Sequence, residues 1–203
     1  MTTIEMIPVF KDLVLAFAAI ITVCIAINGL NTWKRELRGK AVFSKSHELI
    51  HSAYKLRDEI AKARNPWISL HEIGDAVPIK TDLEQAEEMQ KVYAKRWSYV
   101  LSALSEYEAQ MLQAEALWGP KIKEVTSSLK RCATDLYVAM GEDVGNLASG
   151  GQSFKADPEY ADEVRTTVRD IKHKNNKFTS RIEDSIQELE ARLRNNLQWS
   201  TRV

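Results

Sequence analysis

The chain has 203 residues, 44% of them hydrophobic and 28% charged, with 28 basic against 28 acidic side chains and no formal net charge. This composition lies in the ordinary globular range, so disorder is not the default, and the absence of a basic excess leaves no electrostatic footprint for a nucleic-acid partner. Only 8 glycines and 5 prolines punctuate long charged runs, which suits helices better than short strands.

Residues 1–12 are expected to form a short external N-terminus. From Leu13 to Trp33 the chain reads LVLAFAAIITVCIAINGLNTW, without a single charge. As a helix this segment is about 31 Å long, close to the roughly 30 Å hydrocarbon thickness of a bilayer. A buried core helix would keep a polar face, whereas Leu13 to Ile27 is apolar around its whole circumference except for Thr22. A cleavable signal peptide would carry a positive leader. Here Glu5 and Asp12 offset Lys11, and the cations come after the apolar run as Lys34, Arg35, Arg38, Lys40 and Lys45. The expectation is a transmembrane helix over 13–33, N-terminus outside, with 34–203 as a cytoplasmic helical domain. Trp33, Lys34, Arg35, Arg38 and Lys40 then mark the membrane interface, with membrane lipid as the first partner. Cys24 falls inside the apolar run and Cys132 far beyond it, a poor disulfide pair that fits a reducing compartment.

Past the span the helical period continues. Val42, Leu49, Ala53, Leu56, Ile60 and Ala63 share one face, predicting a helix over 34–64 that Asn65-Pro66 ends. A loop follows, with Gly74 and Pro78 as breakers. Thr81 and Glu84 have the form of a capping box opening a helix over 82–118. Its stripe is Leu83, Ala86, Tyr93, Trp97, Val100, Leu104, Tyr107, Met111, Ala114 and Trp118, a coiled-coil-like seam. Gly119-Pro120 is either a hairpin turn or a kink. A helix over 120–148 carries Ile122, Val125, Leu129, Cys132, Leu136, Met140, Val144 and Leu147. Asp157-Pro158-Glu159 opens a last helix over 158–198, with Val164, Val168, Ile171, Asn175, Phe178, Ile182, Ile186, Leu189, Leu193 and Leu197 on its seam. The predicted fold is therefore all-α: an N-terminal transmembrane helix followed by an elongated antiparallel helical bundle.

One motif carries chemistry. His47-Glu48-Leu49-Ile50-His51 matches H-E-x-x-H, in which two histidines one turn apart bind zinc and the glutamate is general base toward the metal-bound water. With the nearby span it resembles membrane-bound zinc metalloproteases, and Glu159-Tyr160-Ala161-Asp162 looks like a contracted E-x-x-A-D motif that supplies a third ligand in one such family. The second motif is one residue short, and Tyr54 and Arg57 stand where metzincins have glycine and a third histidine. Helical steps of 100° put His47 about 140° and His51 about 180° from the apolar stripe, so both are expected to face water. His71 falls in the loop, and His173 lies among Lys172, Lys174 and Lys177. No phosphate-binding loop, nucleophile elbow or C-x-x-C is present, and Cys132 on its stripe reads as a small core hydrophobe. The terminal Thr201-Arg202-Val203 has the form of a PDZ-type ligand, a weak signal beside a frayed helix end.

The stretch WKRELRGKAVFSKSHELIHSAYKLRDEIAKARNP, Trp33 to Pro66, resembles the juxtamembrane helix of uncharacterised bacterial single-span membrane proteins. The resemblance covers about a sixth of the chain and implies a bacterial inner membrane and no known activity. Two functions are weighed. The favoured one is a membrane-anchored scaffold or adaptor that binds a protein partner or a second copy through charged helix faces such as Glu183, Asp184, Glu188, Glu190, Arg192 and Arg194, with no cofactor. The alternative is a membrane zinc metalloprotease using His47 and His51 as ligands and Glu48 as base.

Overall fold

A computed structural model describes residues 3–69, 72, 81–171 and 176–197. Among the described residues there are six helices and no strand: α1 (Thr3–Ala63), α2 (Asp82–Trp118), α3 (Lys121–Ala148), α4 (Gln152–Ala156), α5 (Pro158–Val168) and α6 (Lys177–Leu197). The all-α expectation holds. Gly74, Pro78, His71, His173, Asn175 and the terminal 201–203 lie outside the described residues.

α1 is one unbroken helix of 61 residues, about 90 Å long. It starts at Thr3, inside the segment expected to precede the span. Every side chain from Val14 to Arg38 is exposed, Phe17, Ile20 and Ile25 among them. Among the described residues the apolar run packs against nothing else, so it is not a core helix. It is the one described helix long and apolar enough to cross a membrane. Burial starts lower down, with Gly39, Val42 and Phe43 half-covered and Ser46, Leu49, Ile50, Ala53, Leu56, Ile60 and Ala63 buried.

Cross-helix pairs set the register below that point. Lys55 meets Glu106 at 2.6 Å, and the Arg96 guanidinium reaches the Ala63 carbonyl, so α1 and α2 run antiparallel. Thr81 caps α2 as expected, its hydroxyl accepting from the Glu84 amide while the Glu84 carboxylate accepts from the Thr81 amide. Gly119, at φ 78°, ends α2. α3 then returns along it, with Lys130 on Glu108, Trp97 beside Tyr137 and the Tyr93 hydroxyl donating to Asp143. Gly119-Pro120 is therefore a hairpin and not a kink. At the other end of α3, Gly150 has φ +62°, and a Cβ there would lie 2.8 Å from the Asp82 carboxylate, so glycine lets the end of α3 close on the start of α2.

α2 lies between α1 and α3 and buries two lines of residues where the sequence suggests one. Val92, Arg96 and Ala103 join Ala86, Tyr93, Val100, Leu104, Tyr107 and Ala114. Leu83, expected on the seam, is 59% exposed. The register explains it: α1 ends opposite Arg96, leaving the first turns of α2 without that neighbour.

The expected single helix over 158–198 is corrected to two, preceded by the short α4. Asp157 caps α5 by accepting from the Tyr160 amide, with Pro158 in the first turn. The backbone turns extended at Arg169. Asn176 starts α6, its side-chain oxygen accepting from the Phe178 and Thr179 amides while its nitrogen donates to the Thr166 carbonyl. α5 packs on α3, and α6 packs on both α1 and α3, with Tyr54 donating to Glu190 and Arg181 on Asp135. A straight helix at this length would carry half its apolar face past the end of the bundle; the break lets both halves bury theirs.

Two arginines close the end of the bundle far from the apolar run. Arg64 is 2% exposed; it donates to the Thr167 and Thr166 carbonyls in the last turn of α5 and to the Thr179 hydroxyl, and its guanidinium lies 4.7 Å from the Phe178 ring centroid. Arg96 donates to the carbonyls of Ala63, Asn65 and Trp67 and forms a bidentate pair with Glu72 at 2.6 and 3.1 Å. Both satisfy helix-end carbonyls that lack partners within their own helix.

Replacing Arg64 with Leu should strand those acceptors and lower unfolding stability by ~3 kcal/mol, read from urea titrations of the detergent-solubilised chain by circular dichroism. An unchanged midpoint would rule out the capping role. The Arg96 guanidinium holds the Glu72 carboxyl down at about 2, against an ordinary 4.5. This contribution is complete above the ordinary value and is lost as pH falls through about 2. Glu72→Gln should therefore lower the neutral-pH urea midpoint and flatten its decline between those two values.

Candidate functional site

The H-E-x-x-H motif lies on α1 where that helix is already a stave of the bundle. Leu49 and Ile50, within the motif, are buried, which fixes the rotation of the helix and sends His47 and His51 to the opposite, exposed face. Their rings stack one turn apart with centroids 6.4 Å apart, and Phe43 stacks on His47 at 6.3 Å. Glu48 turns sideways: Lys45 at 2.6 Å and Ser44 at 2.9 Å donate to its carboxylate. The hydrogen bond from Lys45 first, and that from Ser44 second, hold its carboxyl below the ordinary value. A general base toward a metal-bound water needs the reverse, a carboxylate raised toward neutrality.

No group of three or more His, Cys, Asp or Glu with metal-binding geometry occurs among the described residues. Glu159 and Asp162 sit on α5, which packs against α3 around Asp135, Val138 and Ala139. Through the hairpin register that level lies near the far end of α1, well away from His47. The structure thus brings His47 and His51 together but does not bring the contracted second motif to them. Cys132 is buried with its thiol pushed up by burial, as fits a core residue, and Cys24 is exposed on the apolar run.

The other candidate surface is the stalk between the apolar run and the bundle. Trp33, Lys34, Arg35, Arg38 and Lys40 are all exposed, and Glu36 pairs with Lys40 at 2.8 Å. A third feature escaped the sequence reading. Gln90, Ala94, Trp97, Tyr137, Val138 and Gly141 line an open, mainly apolar groove of about 470 Å³ on the outer face of the α2–α3 hairpin. Trp97 and Tyr137 meet there with ring centroids 4.8 Å apart, Tyr137 being largely exposed. The missed signal was Tyr137-Val138, two large apolar residues off the α3 stripe.

The buried arginines were missed too, because a lone Arg beside Asn65-Pro66 reads as a solvated helix end. Their function is architectural: Arg64 keeps its charge under burial that pulls its pKa down, opposed by Asp170.

These features define an all-helical bundle continuous with one helix able to span a membrane. Comparison with protein families, with curated proteins and with solved structures finds no match for this chain.

If the histidine face is only solvated, His47→Ala and His51→Ala should each shift stability by less than about 0.5 kcal/mol. Leu49→Ala, two residues from His47, should cost about 2–5 kcal/mol. Parallel melts of the three variants check the contrast, and a histidine effect as large as that of Leu49 would point to a structural partner for the rings.

Proposed function

We propose that the chain is a membrane-anchored helical scaffold or adaptor of the bacterial inner membrane. On this reading it spans once over 13–33, with the N-terminus outside and residues 34–203 in the cytoplasm. The observation that carries the reading is the continuity of α1, which leaves an apolar segment bare of protein contacts and enters the bundle without a break. A cleavable leader would carry its cations ahead of the apolar run, whereas here they follow it. The excess of cations just after the apolar run supports the cytoplasmic side for the bundle. An anchored bundle gains a high effective concentration toward membrane neighbours or a second copy. Its candidate docking surfaces are the Trp97–Tyr137 groove and the charged faces of α6.

Alkaline carbonate washing should leave the intact chain in the membrane pellet, and reporter fusions should place its C-terminus in the cytoplasm. Replacing Lys34, Arg35, Arg38 and Lys40 with Glu should redistribute that reporter across the membrane. Release of the intact chain by carbonate would end this reading.

The zinc-protease alternative keeps one favourable observation, the two imidazoles stacked one turn apart on an accessible helix. Metal analysis of the detergent-purified protein decides it. Stoichiometric zinc that disappears in His51→Ala would make His47, Glu48 and His51 a metal centre, whereas metal-free protein is the expected result.

A further inference from the structure

The helix register fixes how close the bundle comes to the leaflet. Antiparallel helices share one rise per residue, so the Lys55–Glu106 pair places Trp118 opposite Phe43. Burial on α1 begins at the same level, between Gly39 and Phe43. The α2–α3 tip is therefore the end of the bundle nearest the span, about nine to ten residues or ~14 Å along α1 from Trp33. The headgroup layer takes up roughly 6 Å of that on each side of a bilayer. A tilt of about 20° toward the α2 side, acting over the ~10 Å between neighbouring helices, would bring the tip about 3 Å closer. The four-carbon stem of Lys121 reaches across much of what remains.

The tip's composition suits that position. Leu117 is 52% exposed, Trp118 is half-buried and Lys121 is exposed, the pattern of an interfacial anchor. Lys123 and Glu115 pair at 3.7 Å and Glu124 offsets Lys121, so the tip itself is neutral and adds no repulsion. The charge comes from the stalk. At 100° per residue, Arg35 and Arg38 fall within about 30° of the line through Leu49, Ala53, Leu56 and Ile60, and Lys34 about 70° from it. That line is the face α1 turns to the bundle. Trp33 and Lys40 lie on the opposite side, so the stalk's arginines overhang the bundle in the gap beneath the leaflet.

We propose that the α2–α3 tip is a second lipid contact, with Leu117, Trp118 and Lys121 against the headgroups of the leaflet that α1 leaves, and Arg35 and Arg38 holding anionic headgroups in the gap above it. The proposal rests on α1 spanning the membrane. It makes the bundle lean on the leaflet and present the Trp97–Tyr137 groove at a set angle.

The test uses the full-length chain, with Cys24 and Cys132 replaced by Ala, in vesicles of equimolar phosphatidylcholine and phosphatidylglycerol. Nitroxide labels are placed singly at Leu117→Cys, at Tyr99→Cys near the far end of the bundle, and at Ile20→Cys within the apolar run. A nickel-chelating lipid reports proximity to headgroups, and oxygen against soluble nickel reports depth. The expected result is strong relaxation of the Leu117 label by the nickel lipid, little at Tyr99, and an oxygen-rich, nickel-poor profile at Ile20. Arg35→Gln and Arg38→Gln should each shift the docked-to-undocked ratio at Leu117 about fivefold toward the Tyr99 value, as should vesicles of phosphatidylcholine alone. Equal signals at Leu117 and Tyr99, with Ile20 still in lipid, overturn the tip contact and leave the span standing. A Leu117 label shielded from both nickel reagents also overturns it, in favour of a protein partner. A water-like profile at Ile20 overturns the span and the contact together.

Discussion

At the end of the bundle far from the apolar run, the end of α1 meets α2 and the end of α5 meets the start of α6, and two guanidinium groups tie these helix ends together. A helix that ends inside a packed structure leaves carbonyl oxygens with no donor of their own. Arg96 answers those of α1 and of the segment leaving it, and Arg64 answers those of α5. Each arginine works on a helix other than its own: Arg64 follows the end of α1 and closes α5, and Arg96 sits within α2 and closes α1. Helix ends are thereby tied crosswise, and the apolar faces beside them are held in one register. Burying a guanidinium is costly, and these two are tolerated because their donors meet carbonyls, a hydroxyl and the Glu72 carboxylate in good geometry.

The second organising feature is that the apolar run and the bundle share a helix. Without a hinge at residues 34–63, motion at the apolar run is passed to the core through rigid backbone, and the height of the bundle is set by residue count. This bears on the proposed scaffold role, since tethering through a flexible linker raises local concentration without fixing orientation. A continuous helix supplies both, and on the proposed reading it turns the hairpin tip and the overhanging arginines toward the lipid.

The histidine pair shows how far a short motif depends on the fold around it. The spacing of His47 and His51 places both rings on one helix face whatever the context, and so it is legible in any helical reading. Metal chemistry needs more: a third ligand, a cavity and a carboxylate poised as a base. Leu49 and Ile50 turn the rings toward solvent, and Lys45 and Ser44 draw Glu48 aside. The local pattern and its tertiary setting point in different directions.

Much of the architecture was legible along the chain because helix signals are local. Apolar residues at steps of three and four, the Thr81–Glu84 capping box, Asp157-Pro158 and Gly119-Pro120 each act within a turn or two, and α2 and α3 begin and end where those signals put them. Tertiary contacts decided the rest. The seam from Val164 to Leu197 keeps helical spacing straight through the break, where Arg64 and Asn176 take up the last carbonyls of α5. Leu83 holds a seam position and stays exposed, since burial depends on whether a neighbour reaches that level. A helix's period is set by its own backbone; where it stops and what covers it are set by partners more than a hundred residues away, as Arg64 and Thr167 are.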